Sequence, residues 1–191
     1  MNHNPKGRGG SFCRVFIAIE IPRSVVPPAL VEEIPSIMSL RPIQTPFYHL
    51  TLHFFGDVPV NSLDDIGMVL SGIAFPCFEV TISGVSGFPS ISRSGVMVLK
   101  IQDNPALNDL HARIIRELGI FESKVFVPHI SIARSKKKVN LVTMREKYDL
   151  ISSVFKVTGF SLIQSTLTQS GPVYKTIRKY QCSGSGDTRI N

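Results

Sequence analysis

Two short segments limit most strongly what this chain can fold into. They are His49-Leu50-Thr51-Leu52-His53-Phe54 and His129-Ile130-Ser131-Ile132-Ala133. Side chains of an extended strand point alternately to opposite faces. Strict alternation puts His49, Thr51 and His53 on one face of the first segment and Leu50, Leu52 and Phe54 on the other. In the second, His129 and Ser131 share a face while Ile130 and Ile132 point inward. Such strands belong in a sheet with one face packed on a core and the other open to something wet. The device occurs twice, 80 residues apart, close to half of the 191-residue chain. A weak internal duplication is therefore expected, with one such strand in each half.

The rest of the chain supplies the partners. Residues 14–21 (RVFIAIEI) are dense in β-branched and aromatic residues and stop at Pro22, the pattern of a buried strand. Residues 49–55 make a second strand, closed by Gly56-Asp57. Residues 78–85, 96–101, 125–133, 154–168 and 173–180 read as further strands, the last two joined around Gly171-Pro172. The clearest helix opens at Asn104 with Pro105 in its first position. Leu107, Leu110, Ile114 and Leu118 share one of its faces, and Gly119 ends it. Ser62 with Asp65 resembles a capping box for a helix running toward Ile73. Residues 140–150 give a weaker helix. Residues 24–40 are ambiguous, because Pro27 and Pro28 can open a helix that Pro35 would kink or end. Strands outnumber helices and helices fall in both halves, so the expected class is α+β with mostly antiparallel sheet. No Gly/Ser-rich linker divides the chain. The expected organisation is a flexible arm at 1–11, one domain over 12–181 and a flexible tail at 182–191.

Composition narrows the partners. Lys plus Arg number 21 and Asp plus Glu 14, a formal charge of +7. A basic surface draws polyanions, although charge alone does not separate a nucleic-acid binder from a soluble basic protein. Cys13, Cys77 and Cys182 are odd in number, far apart and without a C-x-x-C pair. That argues against a structural zinc site or a disulfide framework, and for free thiols in a reducing compartment. No stretch approaches about 18 uninterrupted apolar residues, and the N-terminus lacks the apolar run of a signal peptide. The chain is thus read as cytoplasmic, without a membrane partner and monomeric.

Two histidines with neighbouring hydroxyls suit phosphodiester chemistry. Hydrolysis needs a base to activate water and an acid to protonate the departing oxygen. Imidazole, with an unperturbed pKa of about 6.5, does either. A hydroxyl two residues along each strand can donate to a non-bridging phosphate oxygen. A 2',3'-cyclic phosphate carries its leaving oxygen in a strained ring and asks for positioning and proton transfer. The blander reading is that both are ordinary half-buried strand histidines.

These residues sit within a longer resemblance. The strand RVFIAIEIP (14–22), HLTLHFFGD (49–57), GFPS (87–90), FVPHISIAR (126–134) and SLIQSTLTQSGPVYKTI (161–177) occur in that order. The sequence thereby resembles the 2H phosphoesterase superfamily, specifically the RNA 2',3'-cyclic phosphodiesterases also called 2'-5' RNA ligases. The match spans about residues 14–178. It implies a bilobal α+β fold, with two pseudo-symmetric lobes whose antiparallel sheets enclose a central cleft. It also implies metal-independent hydrolysis of 2',3'-cyclic phosphate ends of RNA to 2'-phosphates, without a cofactor. The alternatives are 2'-5' RNA ligase activity and a non-catalytic module of the same fold that binds RNA ends.

Carried over by position, His49 and His129 are the acid/base pair, and Thr51 and Ser131 hold phosphate oxygens. The order preferred is His129 on water and His49 on the leaving 3' oxygen, which sequence leaves open. Arg134 matches the family's arginine after the second motif and is assigned to phosphate. Strict alternation puts it on the face opposite His129, so it needs a strand end or a bulge to reach the cleft. Tyr174, from the closing motif, is a candidate cleft residue or a packing one. His53 stands where a Lys or Arg is common and is read as solvent-facing rather than as a phosphate contact. Ser131 replaces the commoner Thr with a hydroxyl less restrained at χ1. Lys136-Lys137-Lys138 is read as a loop that either guides an RNA backbone or is merely solvated. Phe47 and Tyr48 offer a base-stacking ring, with Phe47 more at home in the core. His3 and His111 need no function.

Overall fold

The computed structural model describes residues 11–43, 48–169 and 171–183. Of the N-terminal arm only Ser11 falls among them, and Phe47 lies outside them. The strands are β1 (Phe12–Ile21), β2 (Leu40–Pro42), β3 (Tyr48–Pro59), β4 (Phe78–Phe88), β5 (Ser94–Ile101), β6 (His129–Val139), β7 (Ser152–Val157), β8 (Gly159–Thr168) and β9 (Gly171–Gln181). The helices are α1 (Pro28–Glu33), α2 (Leu63–Ser71), α3 (Pro105–Glu117) and α4 (Val142–Lys147).

The strands run in the order β7-β4-β5-β6-β3-β1-β8-β9, with the short β2 added beside β6. Every pairing between them is antiparallel. The order reads as two four-stranded lobes joined back to back. β3 and β6 meet at the seam through one register pair, Leu50 with Ile130. The expected α+β, bilobal architecture is present. Its lobes are not halves of the sequence, however. β8 and β9, from the C-terminal end, complete the lobe that β1 and β3 begin.

One face of this sheet carries the core. Ile17, Ile19, Leu50, Ile130 and Ile132 pack there with Leu30 of α1, Leu70 of α2, and Leu107, Leu110 and Ile114 of α3. Burying each such side chain stabilises by about 1.5–3 kcal/mol, so the alternating strands are pinned to this orientation. The other face carries only a small cluster of Phe16, Ala18 and Ile163, with Tyr174 against it. That is the cleft face.

Local chemistry matches expectation most closely in α3. Asn104 Oδ1 accepts from the Leu107 amide at 3.0 Å and Pro105 occupies the first turn. Gly119, at φ +62°, takes the left-handed position after the helix, where only glycine is free of a Cβ penalty. Elsewhere the structure departs from it. Ser62 does not cap α2; its hydroxyl donates to Pro59 O at 2.6 Å instead. The sixth strand starts at His129 rather than at 125, since Pro128 has no N–H for a ladder. It runs on to Val139, so Lys136-Lys137-Lys138 lies on a strand and not on a loop.

The cysteines are the clearest correction. Cys77 and Cys182 form a disulfide, with Cα atoms 5.2 Å apart and a sequence separation of 105. Only Cys13 is free, and it is buried. Sequence spacing carried no sign of this pair, because the fold brings them together. β9 delivers Cys182 to the chain leading into β4, where the Ser183 amide donates to Phe75 O at 2.8 Å. Cys182 and Ser183, counted in sequence with a loose tail, are thus held, and Cys182 is buried.

Candidate active site

The seam between β3 and β6 builds the site. Leu50 and Ile130 pair across it and point into the core. Antiparallel register then sets His49 across from Ser131 and Thr51 across from His129, all four on the cleft face. The two histidines are diagonal neighbours, a relation that places Cβ atoms roughly 7–8 Å apart. Two histidines and two hydroxyls therefore form a square on adjacent strands.

Each histidine strand breaks its alternation directly after its hydroxyl residue. In β3, Thr51 pairs with Ala18 and His53 with Ile17, leaving Leu52 as an extra residue. In β6, Ser131 pairs with Val98 and Ala133 with Met97, leaving Ile132 extra. The two bulges are counterparts, and each re-aims the residues just beyond it. Arg134 pairs with Val96, two residues from Val98, and so returns to the cleft face beside Ser131. The bulge that Arg134 needs is present.

The same device moves His53 and Phe54. Phe54 pairs with Phe16 of the cleft-face cluster, so Phe54 joins the face of His49 and Thr51, while His53 turns away from that face to the wall of the cavity beside His129. This overturns the common face assigned to His49, Thr51 and His53. His53 is not solvent-facing: its Nδ1 lies 2.8 Å from Glu122 Oε1 and its side chain is 13% exposed. His111 Nε2 lies 3.1 Å from the other oxygen of Glu122, though off line for a straight hydrogen bond. Its ring stacks on Phe126 at 3.9 Å. His111 thus has a structural place, tying the 119–128 segment to α3 and β3.

The two candidate catalytic rings have different surroundings. His49 is enclosed between Phe16, 5.1 Å away between centroids, and Tyr174, which meets it edge-on at 5.1 Å. Its Nδ1 is buried without a hydrogen-bond partner among the described residues. Desolvation, then the charges of Arg134 and His129, push its pKa down to about 4. His129 sits nearer the open end, with Phe88 of the GFPS motif edge-on at 4.7 Å. Its Nδ1 lies 2.8 Å from Val127 O. A carbonyl only accepts, so Nδ1 carries the proton and Nε2 of the neutral ring keeps its lone pair for the cleft. Gly87, before Phe88, leaves no room for a Cβ, which would run into Ser94 Oγ.

Cavities open on both sides of the square. On the His129 side a cleft of about 690 Å³ lies among Thr51, Phe54, Phe88, His129, Phe121 and Phe126. On the His49 side a pocket of about 420 Å³ is lined by Phe16, His49, Thr51, Phe54, Arg134 and Tyr174. Thr51 and Phe54 form the ridge between the two. Burial, more than Arg134 offsets, pushes the Tyr174 phenol up, so it is neutral and able to donate. Tyr48 is not a stacking platform. It is 2% exposed and belongs to the core.

The sequence singles out His49, Thr51, His129, Ser131, Arg134 and Tyr174, and the fold brings all six to the cleft face or its wall. The sequence did not point to Phe16 and Phe54, which line the pocket beside His49. Phe54 was hidden by strict alternation, which assigned it to the core face. Among the described residues no group of three or more His, Cys, Asp or Glu side chains is arranged to hold a metal ion, and no helix is long and apolar enough to cross a membrane.

Back-to-back antiparallel lobes, each giving one His-x-Thr/Ser strand to a shared seam, define a class of bilobal α+β proteins. Comparison with known proteins finds that class. The family model of the 2'-5' RNA ligase superfamily matches residues 42–169. A protein of Archaeoglobus fulgidus named RNA 2',3'-cyclic phosphodiesterase is 28% identical over 88% of this chain and 99% of its own length. One of the same name from Aeropyrum pernix is 30% identical over 77% of this chain and 89% of its own. The crystal structure of TT0787 from Thermus thermophilus superposes with a TM-score of 0.74 at 27% identity, covering 91% of this chain and all of that one. The chain belongs to the 2'-5' RNA ligase superfamily, the two-histidine phosphoesterases.

Proposed function

We propose that the protein is an RNA 2',3'-cyclic phosphodiesterase that opens the cyclic ester to a 2'-phosphate. The observation that carries this reading is the cross-strand square: two imidazoles on one diagonal and two hydroxyls on the other, on one face of adjacent strands. Thr51 and Ser131 donate to the non-bridging oxygens, and Arg134 balances their charge.

The two rings divide the protons. His129, with Nδ1–H held by Val127 O, offers its Nε2 lone pair to a water entering from the large cleft. His49 faces the opposite side, toward Tyr174 and Arg134, where the ribose and its 3' oxygen lie. In the free protein His49 is neutral. A phosphate anion offsets Arg134 and adds a negative charge beside the ring, so substrate raises the His49 pKa and gives it the proton it then passes to the 3' oxygen. Acid and base both come from the chain, so turnover is expected to persist in EDTA.

The test is an oligonucleotide ending in a 2',3'-cyclic phosphate. Wild-type protein should yield a 2'-phosphate end, with kcat lowered about 10²–10⁴-fold in His49→Ala and in His129→Ala. Undiminished turnover by both variants would contradict the assignment. A second reading has one observation in its favour. The roughly 690 Å³ cleft on the water side has aromatic walls and more room than water needs. A 5'-hydroxyl RNA end seated there would join instead of hydrolyse, giving 2'-5' RNA ligase activity.

A further inference from the structure

The pocket on the His49 side does not end at Arg134. A third cavity, of about 360 Å³, continues from it, sharing Arg134, Pro172 and Tyr174 and adding Arg41. Arg41 and Arg134 are register partners on β2 and β6, so their side chains leave the sheet on the same face and side by side. The two guanidiniums thus lie in sequence along one groove that starts at His49. Among the described residues neither has a carboxylate partner. Among those residues Arg41 donates only to Leu40 O at 3.0 Å, whereas Arg14, in the pocket beside His49, is paired with Asp57 at 3.1 Å. Past Arg134 the same strand carries Lys136, Lys137 and Lys138, all exposed. An arginine beyond the square, without a carboxylate partner among the described residues, is more than a single phosphate requires.

We propose that this groove binds the RNA strand upstream of the cyclic phosphate, with Arg41 on the phosphate 5' to the terminal nucleoside. The inference rests on the reading of the site given above. There the leaving 3' oxygen, and with it the ribose, lies on the His49 side, so the upstream chain leaves through this groove. Arg134 meets the cyclic phosphate and Arg41 the next one. Arg41 sits on a three-residue strand paired to β6 alone, exposed, and outside the core, so its replacement leaves the square intact. The protein is thereby specific for RNA ends over cyclic mononucleotides.

The experiment compares kcat/KM for a cyclic-phosphate trinucleotide and for the cyclic mononucleotide with the same terminal base. One charge-assisted hydrogen bond to phosphate contributes about tenfold. The trinucleotide-to-mononucleotide ratio should therefore fall about tenfold in Arg41→Ala and be partly restored in Arg41→Lys. The slope of log K against log salt should lose about 0.7, the value for one single-strand phosphate. A ratio that Arg41→Ala leaves unchanged overturns the proposal. Binding of the matching 2'-phosphate ends, measured by fluorescence anisotropy, separates the two readings. An Arg41-dependent preference for the trinucleotide without turnover of either ester keeps the groove and removes the hydrolase. Turnover with an Arg41-independent ratio removes the groove alone.

Discussion

β3 and β6 share a backbone plan and differ in the environment they give their histidines. Both carry His-x-Thr/Ser with an apolar residue turned to the core, and both bulge at the next position. Both present an aromatic edge or face to the ring, Phe16 and Tyr174 for His49 and Phe88 for His129. The difference lies in what surrounds each imidazole. His49 is closed in, its Nδ1 without a partner among the described residues and its pKa lowered by desolvation and then by Arg134 and His129. His129 has its Nδ1–H fixed to a backbone carbonyl at the edge of an open cleft. The bulges deepen the contrast, since they bring Phe54 to the cleft in one lobe and Arg134 in the other. A symmetric scaffold thus supplies an asymmetric pair, one ring anchored through Nδ1 to a backbone carbonyl and one enclosed and desolvated.

The bond between the lobes offers the largest change that leaves this contrast in place. Cys77 leads into the lobe of His129, and Cys182 ends the lobe of His49. Closing so long a loop contributes typically 2–4 kcal/mol. Urea unfolding under oxidising conditions should show Cys182→Ala to be less stable than wild type by about that amount, and the two should agree in excess reductant. Equal stability in both conditions would mean that the lobes hold together without the bond. A reducing compartment keeps most thiols free, so the redox state found after purification also bears on the expected cytoplasmic location.

Arg134 tests the asymmetry more directly. Arg134→Ala should lower kcat/KM for the cyclic ester by about ten- to a hundredfold, the worth of hydrogen bonds to a charged group. Because Arg134 is one of the causes that lower His49, the variant should also raise the His49 pKa above about 4, read by NMR titration of the ring. Loss of activity with an unmoved His49 would separate the arginine from the acid.

The smallest predicted effect is on stability. The folded protein holds His49 at about 4, below its unfolded value of about 6.5. The folded state therefore binds fewer protons than the unfolded chain over that window. The contribution of His49 is fully present above pH 6.5 and is lost as pH falls toward 4, by about 2 kcal/mol between pH 8 and pH 5. His49→Gln should show a flatter decline in urea midpoints across that range. An identical decline would place the pH dependence in other groups.

The sequence disclosed what alternation and local signals carry. His49, Thr51, His129 and Ser131 were legible because each is one strand period from its partner, and α3 because Asn104, Pro105 and Gly119 mark its ends. Features created by pairing were not legible. A bulge is a property of two strands in register, so Leu52 gave no sign that it would send His53 to Glu122 and Phe54 to the cleft. For Arg134 the mismatch between its motif position and its face was itself the signal that a bulge was needed. The disulfide and the interleaving of β8 and β9 with the first lobe depend on tertiary contacts across more than 100 residues.

The division of labour between the rings is tested most directly by the leaving group. A cyclic ester with sulfur in place of the bridging 3' oxygen expels a thiolate, which departs without a proton. On that substrate His49→Ala should recover most of the wild-type rate, while His129→Ala should remain impaired because water still lacks its base. Recovery of His129→Ala with His49→Ala still impaired would reverse the two roles and contradict the account.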